Sequence, residues 1–241
     1  MELNKVRIIY MNAQKLSKRL ETVASFVPTG AVIADIGSDH AYLPCYLVHK
    51  GIVSRAIAGE VVKGPYESAV RQVRTEGLTE SMTVRLADGL AAIQEEDHVN
   101  TVTIAGMGGP LIVSILEKHP ASLKHVTRLI LQPNIHAKVI REWAITNGWA
   151  ILDEAILEED EKIYEVLVLQ RGQETLTEAE ILLGKHLIAE KSDVFVQKWT
   201  KEIANWERVL QSIEKAEATA EIESKRAELR HLIELVQGVL S

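Results

Sequence analysis

The sequence predicts an α/β protein with a doubly wound, seven-stranded sheet, followed by a helical coiled-coil extension. Two observations predict the sheet: short aliphatic and β-branched runs alternate with helical patterns, and the first five runs are nearly unbroken. A third observation predicts the extension, because the chain after Gly172 changes to long segments whose apolar residues are spaced by three and four. We therefore expect two domains, residues 1–172 and residues 173–241.

An α-helix is expected ahead of the sheet, because apolar residues repeat at helical spacing until Pro28 and Gly30 end the pattern. These residues are Leu16, Leu20, Val23 and Val27. Seven aliphatic runs are the candidate strands, and they cover residues 31–37, 55–61, 82–89, 102–109, 128–134, 149–157 and 163–170.

The first five runs lack polar alternation, which is typical of parallel strands covered on both faces. The segments between them are long enough for crossover helices. Only residues 158–162 separate the last two runs, so we expect an antiparallel pair at the edge of the sheet. This ending is similar to that of the class I methyltransferase variant of the doubly wound, Rossmann-like fold.

The extension begins with Thr177 and Glu180, which have the spacing of a helix capping box. Two apolar sets follow: Val196, Trp199, Ile203, Trp206, Leu210 and Ile213, then Ile222, Leu229, Ile233, Val236 and Leu240, with Arg226 as a polar member. We expect two antiparallel helices that turn near residues 216–220, in a chain that is a monomer. One continuous helix that dimerises through this seam is the alternative, because neither glycine nor proline marks the turn.

Composition indicates a globular protein, with 46% hydrophobic and 25% charged residues in a chain of 241. No apolar run approaches the roughly 18 residues of a membrane span, and the N-terminus lacks the pattern of a signal peptide, so we expect a cytoplasmic protein. The single Cys45 excludes an internal disulfide, and its apolar neighbours indicate a small buried residue. The histidines are scattered, so no metal site is expected.

Charge is unevenly distributed, although the net charge of −7 by itself disfavours a polyanionic partner. Residues 118–141 contain lysine, arginine and histidine but no acid, and a second basic group consists of Lys5, Arg7, Lys15, Lys18 and Arg19. We expect a basic face that binds nucleic-acid phosphates, with these candidate contacts: Lys18, Arg19, Lys138 and Arg141. Lysines that are only solvated on helix surfaces are the alternative.

Acids and glycines stand where the first three strands end, which is where parallel sheets bind ligands. Asp35 and Gly37 follow the first run, Glu60 the second, and Asp88 with Gly89 the third. Glu60 has the spacing of an acid that accepts both ribose hydroxyls of an adenosine, and Asp88 is placed for the adenine amino group. Each acid alone could be a helix cap or a turn residue, but together they predict an adenosine clamp.

The first loop narrows the choice of adenosine ligand. A dinucleotide is disfavoured, because Asp39, Ala41 and Tyr42 stand where glycines would admit a pyrophosphate. S-adenosylmethionine carries no phosphate, and Asp35 or Asp39 could stabilise its ammonium group. We therefore predict S-adenosylmethionine as the cofactor.

Glycines and uncharged amides follow the fourth and fifth strands. Residues 105–109 read AGMGG, which permits a tight turn and leaves Met107 beside the reacting centre. Gln132 and Asn134 offer amide groups that suit the edge of a nucleobase. The alternatives are a plain strand-to-helix turn for the glycines and turn chemistry around Pro133 for the amides.

These segments together resemble a known family, the bacterial TrmK family of tRNA (adenine-N1)-methyltransferases. The motifs that carry the resemblance, in this order and spacing, are ADIGSDHAYLP, EVVKGPYESA, RLADGL, TIAGMGG, LILQPN, NGW and IYEVLVL. They cover about residues 15–170, and the helical extension matches the family's arrangement. The resemblance implies methylation of adenine 22, in the D-loop region of tRNA, with S-adenosylmethionine.

By this resemblance Asp35, Gly37, Glu60 and Asp88 fall on cofactor-binding positions, and Asp39 and His40 fall on the family's altered first loop. Together with the residues singled out above, the expected cofactor-binding set is Asp35, Gly37, Glu60, Asp88, Gly89, Ala105, Gly106 and Met107. The expected catalytic set is Asp39, His40, Gln132 and Asn134.

For the reaction, in-line attack of adenine N1 on the sulfonium methyl requires positioning more than a general base. The product is a cation until it loses an N6 proton, and we predict that Asp39 and His40 stabilise this charge. A helix cap for Asp39 and a packing role for His40 are the alternatives. Because N1 lies on the Watson–Crick edge, the base must be unpaired and stacked, and the candidate aromatic residues are Tyr42, Tyr66, Tyr164 and Trp143, the last of which better suits the core.

Two other functions stay open from the residues alone. One is a methyltransferase of a small molecule or a protein. The other is a non-catalytic RNA-binding protein that keeps the fold.

Overall fold

The computed structural model describes residues 13–214 and 219–241, and its centre is one sheet of seven strands. The strands are β1 (Ala31–Ile36), β2 (Val53–Glu60), β3 (Met82–Leu86), β4 (Thr101–Gly108), β5 (Arg128–Ile135), β6 (Trp149–Glu159) and β7 (Lys162–Arg171). Their order across the sheet is β3-β2-β1-β4-β5-β7-β6. The predicted α/β class and all seven predicted strands are confirmed.

The first five strands are parallel, and β7 runs antiparallel to both of its neighbours. The predicted antiparallel pair therefore closes the sheet, with β7 beside β5 and β6 at the edge. Asp160 and Glu161 form the turn between them, and both have positive φ angles, 50° and 63°. Two left-handed residues match the twist of the flanking strands, which explains so short a connection.

Helices cover both faces of the sheet. Those described are α1 (Lys18–Ser25), α2 (Tyr42–His49), α3 (Lys63–Thr75), α4 (Gly109–Lys118), α5 (Ala137–Thr146), α6 (Glu178–Leu183), α7 (Lys185–Glu190), α8 (Asp193–Glu214) and α9 (Ala220–Leu240). Neighbouring residues of one strand, such as Ile33 and Ala34, belong to two different apolar clusters. One cluster includes α1, α2 and α3, and the other includes α4 and α5. Burial on both faces is why the parallel strands are apolar without alternation.

The predicted N-terminal helix is α1, and it is fastened to the end of β6. Ser17 caps its first turn by accepting from the Leu20 amide, and the Glu159 carboxylate accepts from the amides of Lys18 and Arg19. A carboxylate at a helix N-terminus satisfies free amides and complements the helix dipole. These contacts hold α1 beside the site described below.

The C-terminal part forms two long antiparallel helices, as predicted. Arg226 of α9 donates to the Ile213 carbonyl of α8 over 2.6 Å, so the end of α8 lies beside the beginning of α9. Thr177 and Glu180 make the predicted capping box. Val196 is an exception to the predicted seam, because it is 38% exposed and the adjacent Phe195 is buried instead.

Residues 215–218, where most of the predicted turn falls, lie outside the described residues, as do Lys5 and Arg7 of the N-terminal basic group. Coiled-coil geometry in the strict sense and the division at residue 172 stay predictions. In the described ranges, no helix combines the length and the apolar character needed to cross a membrane.

A buried ionic cluster fastens the helical part to the sheet. Arg141 of α5 is fully buried and donates to Glu154 of β6 and Glu165 of β7, both over 2.6 Å. Lys198 of α8 is a second cation beside Glu165. A side chain at Gly184 would stand 2.6 Å from the Arg141 guanidinium, so the chain passes this point only because residue 184 has no Cβ.

The prediction that Arg141 contacts RNA phosphates is therefore wrong. Its guanidinium has no exposed surface and is already paired with two carboxylates. Residues 118–141 do not form one basic face, because this arginine points into the protein.

Removing this cation should destabilise the fold strongly. We expect Arg141→Met to lower the free energy of unfolding by about 3–5 kcal/mol, because it leaves two buried carboxylates without their shared partner. Urea denaturation followed by circular dichroism measures the change. Arg71→Met is the matched control, since Arg71 is exposed and, within residues 13–214 and 219–241, its side chain hydrogen-bonds only to Ser68. A loss below about 1 kcal/mol for Arg141→Met would mean that the cluster does not hold the junction.

Candidate active site

The candidate site lies at the edge of the sheet where the five parallel strands end. Strand β1 lies between β2 and β4, so connections leave it in opposite directions and open a crevice at the strand ends. The predicted site residues follow these ends or lie in their last residues. The structure thus brings together the residues that the sequence placed on separate strands.

The loop between β1 and α2 has an unusual backbone. Gly37, Asp39 and Ala41 all have positive φ angles, between 52° and 71°. Gly37 also lies under the side chain of Met107, whose Cε would be 2.1 Å from a Cβ at residue 37. Glycine is therefore required there for both its conformation and the close approach of β4. Ala41, without a side-chain cap, precedes α2, so the alternative that Asp39 caps this helix is wrong.

Asp35 holds this loop rather than facing the crevice. Its buried carboxylate accepts from the hydroxyls of Ser38 and Thr103, the latter over 2.6 Å. Burial raises the pKa of Asp35 above its usual value, and the two hydroxyls offset part of the effect. Asp35 is placed to fix the loop and to lend negative charge to the floor of the site.

Glu60, the last residue of β2, is the acid best suited to bind a ligand. One oxygen accepts from the Asp39 amide, and the other has no hydrogen-bond partner within the described part of the chain. The residue is only 5% exposed. Burial, opposed by the Asp39 amide and aided by the charges of Asp35 and Asp39, raises the pKa of Glu60 to about 7. Because this oxygen is not fully enclosed, it can accept from an incoming hydroxyl.

Asp88 and Gly89 extend the same edge beyond β3. The amide of Ala87 donates to the Glu60 carbonyl over 2.7 Å, which sets Asp88 next to the end of β2. The Asp88 side chain is exposed and pairs with Lys118, which lowers its pKa. Gly89 has a φ angle of 56° and begins a short 3₁₀ helix. Asp88 would have to share its carboxylate with Lys118 when it binds a ligand.

Gln132 is not free to contact a substrate, so its predicted catalytic role is wrong. The residue is fully buried, and its oxygen accepts from the Gly106 amide over 2.9 Å and from the Arg19 guanidinium. Its nitrogen donates to the Pro133 carbonyl and, at 3.4 Å, to Asn134. Gln132 instead joins the ends of β4 and β5 to α1 and is a positioning residue.

Three predicted catalytic residues do lie at the open rim of the crevice. Asn134 is exposed and donates to the Gly106 carbonyl over 2.8 Å. Asp39 and His40 are also exposed, with 3.7 Å between the Asp39 carboxylate and His40 Nε2. The His40 ring stacks on Tyr42 with 5.2 Å between ring centres. These side chains are accessible to a substrate that enters above Gly106.

Sequence reasoning missed two residues of the site, Ser38 and Thr103, and misjudged the position of a third, Arg19. Ser38 and Thr103 hold Asp35, and a hydroxyl within the apolar run of β4 was the signal for Thr103. Tyr164 lies under the guanidinium of Arg19, 5.5 Å from its ring centre. Arg19 was expected on an outer basic face, but it reaches into the site beside Gly106.

The structure also locates the remaining residues that the sequence singled out. Trp143 is buried in the core, and Cys45 is buried with a thiol pKa raised by burial to about 12. Lys18 and Lys138 are exposed, and Lys138 lies 3.6 Å from Glu142. In residues 13–214 and 219–241, no three side chains of metal-binding type come close enough to share an ion.

A cleft adjoins the acceptor side of the site. It has a volume of about 480 Å³ and separates the end of β5 from α8. Its walls include Asn134, Lys138 and Trp206, as well as Ile135, which is 62% exposed. The cleft leads outward from the rim residue Asn134 along the helical part.

Comparison with known proteins gives a consistent result. Residues 33–238 match the family model described as TrmK, tRNA (adenine(22)-N(1))-methyltransferase. The tRNA (adenine(22)-N(1))-methyltransferase of Bacillus subtilis (strain 168) is 48% identical over 236 residues, which are 95% of this chain and 99% of that protein.

Two solved structures extend the comparison. A Streptococcus pneumoniae protein described as a candidate tRNA (m1A22) methyltransferase, in complex with S-adenosyl-L-methionine, is 48% identical, with a TM-score of 0.86, and covers 94% of this chain and 100% of its own. M. capricolum TrmK in complex with S-adenosyl-homocysteine is 28% identical, with a TM-score of 0.83, and covers 96% and 98%. The chain therefore belongs to the TrmK family of tRNA (adenine(22)-N(1))-methyltransferases.

Proposed function

We propose that this chain transfers the methyl group of S-adenosylmethionine to N1 of adenine 22 in tRNA. The observation that carries the proposal is Glu60, a buried carboxylate with one unpartnered oxygen at the end of β2. It stands beside a loop that lacks the glycines of a pyrophosphate site. Family membership supplies the substrate and the position of the methylated atom.

The residues at the strand ends fit S-adenosylmethionine. Glu60 can accept from the ribose hydroxyls, Asp88 from the adenine amino group, and Asp35 with Asp39 gives the negative charge that an ammonium group requires. Gly37, Gly89 and residues 105–107 let the backbone approach the ligand closely. When bound, the cofactor supplies an electrophilic methyl group on a sulfonium.

The chain's own residues would then position the acceptor. Adenine N1 carries a lone pair, so alignment with the methyl group accounts for most of the acceleration. Asn134, fixed by the Gly106 carbonyl, offers its amide to the base edge, and Asp39 with His40 lies where positive charge develops on the methylated ring. The stacking candidates are Tyr42, which stacks on His40, and Tyr164, which lies under Arg19.

For RNA binding we propose Lys18 and Lys138, both of which are exposed, with the cleft that Lys138 lines beside Asn134 as the path of the strand. We also infer a cytoplasmic monomer, because tRNA is modified there and because α8 and α9 fill their apolar seam within one chain. Light scattering tests the monomer by giving the mass of one chain.

The proposed activity has a direct test. Incubation of unmodified tRNA transcript with the protein and S-adenosylmethionine should give one 1-methyladenosine at position 22, mapped by nuclease digestion and mass spectrometry. A transcript with guanosine at position 22 is the control and should remain unmodified. Methylation of free adenosine or of protein, with none on tRNA, would favour the other methyltransferase class. Cofactor binding without any turnover would leave the non-catalytic alternative.

Cofactor affinity should depend on pH through Glu60. Its pKa is raised to about 7, so the free protein holds this carboxyl protonated below that pH, whereas ribose hydroxyls donate to the ionised form. We expect the Kd for S-adenosylmethionine, measured by isothermal titration calorimetry, to rise about tenfold from pH 8 to pH 6. The raised pKa of Glu60 also makes the free protein less stable as the pH rises from about 4.5 to 7, because the folded protein must then bury the ionised carboxylate.

Two variants assign this dependence. Glu60→Gln cannot ionise, so its weaker affinity should be the same at both pH values. Asp88→Asn should keep the wild-type slope, because Asp88 is exposed and its pKa is lowered. A slope that survives in Glu60→Gln would assign the proton to another group.

Loss of the two lysines should weaken RNA binding selectively. We expect the double variant Lys18→Glu, Lys138→Glu to bind tRNA about tenfold less tightly at low salt, with a shallower dependence on salt concentration, because fewer counterions are released. Filter binding over a salt series measures both effects. Unchanged affinity for S-adenosylmethionine is required of the variant, since joint loss of both affinities would indicate misfolding.

A further inference from the structure

The guanidinium of Arg19 reaches the acceptor end of the site from outside the sheet. It comes from the first turn of α1, donates to Gln132 and lies over the ring of Tyr164, 5.5 Å from its centre. One of its terminal nitrogens would be 3.5 Å from a Cβ at Gly106. That distance is an ordinary van der Waals contact, so the guanidinium lies directly beside the backbone of residue 106.

No carboxylate of the described residues lies within ion-pair distance of Arg19. Two other buried or partly buried arginines of the sheet region are paired with acids, Arg85 with Asp97 and Arg141 with two glutamates. Glu159, an acid that does contact Arg19, accepts from its backbone amide and not from its side chain. A half-buried cation without a counter-ion is costly, which indicates that its anion is supplied by a ligand.

The cation is also held in a fixed orientation. Gln132 is fully buried and its oxygen is shared with the Gly106 amide, so it fixes one edge of the guanidinium, while the Tyr164 ring fixes the plane. Arginine has five N–H groups in a planar fork, so further donors remain for a bidentate contact with an oxyanion. Gln132 acts here as the positioning residue of Arg19.

Charge balance points the same way. Methylation moves one positive charge from the sulfonium to the adenine ring, and an uncompensated cation beside the acceptor would oppose that movement. An anion bound to Arg19 would cancel this electrostatic repulsion. The two anions that the proposed reaction brings to this point are the carboxylate of the methionyl group of S-adenosylmethionine and the phosphodiester next to the target adenosine.

We propose that Arg19 is an oxyanion-binding residue of the active site, held by Gln132 and Tyr164, which binds one of these two anions. This inference rests on the proposed function. It assigns to α1 a part in binding the reactants, in addition to its packing against the sheet.

The experiment compares Arg19→Gln and Arg19→Lys with Arg71→Gln, a matched loss of one exposed arginine on α3. Calorimetry gives the Kd for S-adenosylmethionine, and transfer of a labelled methyl group to tRNA gives kcat/KM at saturating cofactor. Thermal unfolding identifies any variant that fails to fold. Arg19→Lys keeps the charge but loses the fork, so it should lie between the wild type and Arg19→Gln.

The two anion sources give different results. If Arg19 binds the cofactor carboxylate, Arg19→Gln should raise the cofactor Kd about 10- to 100-fold. If it binds the phosphodiester, the cofactor Kd should stay within about twofold while kcat/KM falls by a similar factor. In that case a ligated tRNA with one neutral methylphosphonate beside adenosine 22 should lower kcat/KM of the wild type and have no further effect on Arg19→Gln.

Two results would overturn the proposal. One is a folded Arg19→Gln variant whose cofactor Kd and kcat/KM both match those of Arg71→Gln. The other is an unchanged cofactor Kd together with losses of kcat/KM from Arg19→Gln and from the methylphosphonate that are additive in free energy, since additivity would mean that the two groups do not interact. Failure of the proposed function is a separate outcome, because the wild-type protein would then not methylate adenine 22 in the same assay.

Discussion

The site depends on how closely the ends of the parallel strands approach one another. Five strands stop at one edge, and the chain can turn away from β1 and β4 there only because Gly37 accepts the Met107 side chain directly above it. A Cβ at that glycine would overlap Met107, so a single methyl group would force the first loop away from β4. This close packing holds the strand-end acids Asp35, Glu60 and Asp88 in one crevice with the exposed rim residues Asp39, His40 and Asn134.

A second constraint orients the helical part. Arg141, Glu154, Glu165 and Lys198 form a buried ionic cluster in which α5, β6, β7 and α8 meet. Although burial raises it, the charges of Lys198 and Arg141 hold the pKa of Glu165 below its ordinary value. Such a cluster adds little net stability compared with an apolar core, but it tolerates few alternative arrangements. It fixes α8 as one wall of the cleft beside the acceptor rim.

The electrostatics of the site are asymmetric. On the side where we propose that the cofactor binds, burial raises the pKa values of Asp35 and Glu60, and the charges of Asp35 and Asp39 add to the effect at Glu60. On the acceptor side, Arg19 is a cation without a carboxylate among the described residues, and Gln132 and Tyr164 hold it in place. The acidic side is therefore suited to a positively charged ligand group, and the side with Arg19 to a negatively charged one.

The sequence by itself determined the strands, their parallel and antiparallel arrangement, the two C-terminal helices and the strand-end acids. These follow from local patterns, because apolar runs, capping residues and short turns act over a few neighbouring residues. The tertiary structure decided what Arg141, Gln132 and Arg19 do, since the partners of these side chains lie on other elements far along the chain. A basic residue in a basic stretch gives no sign of whether it meets water or a buried carboxylate, because that depends on which elements the fold packs together.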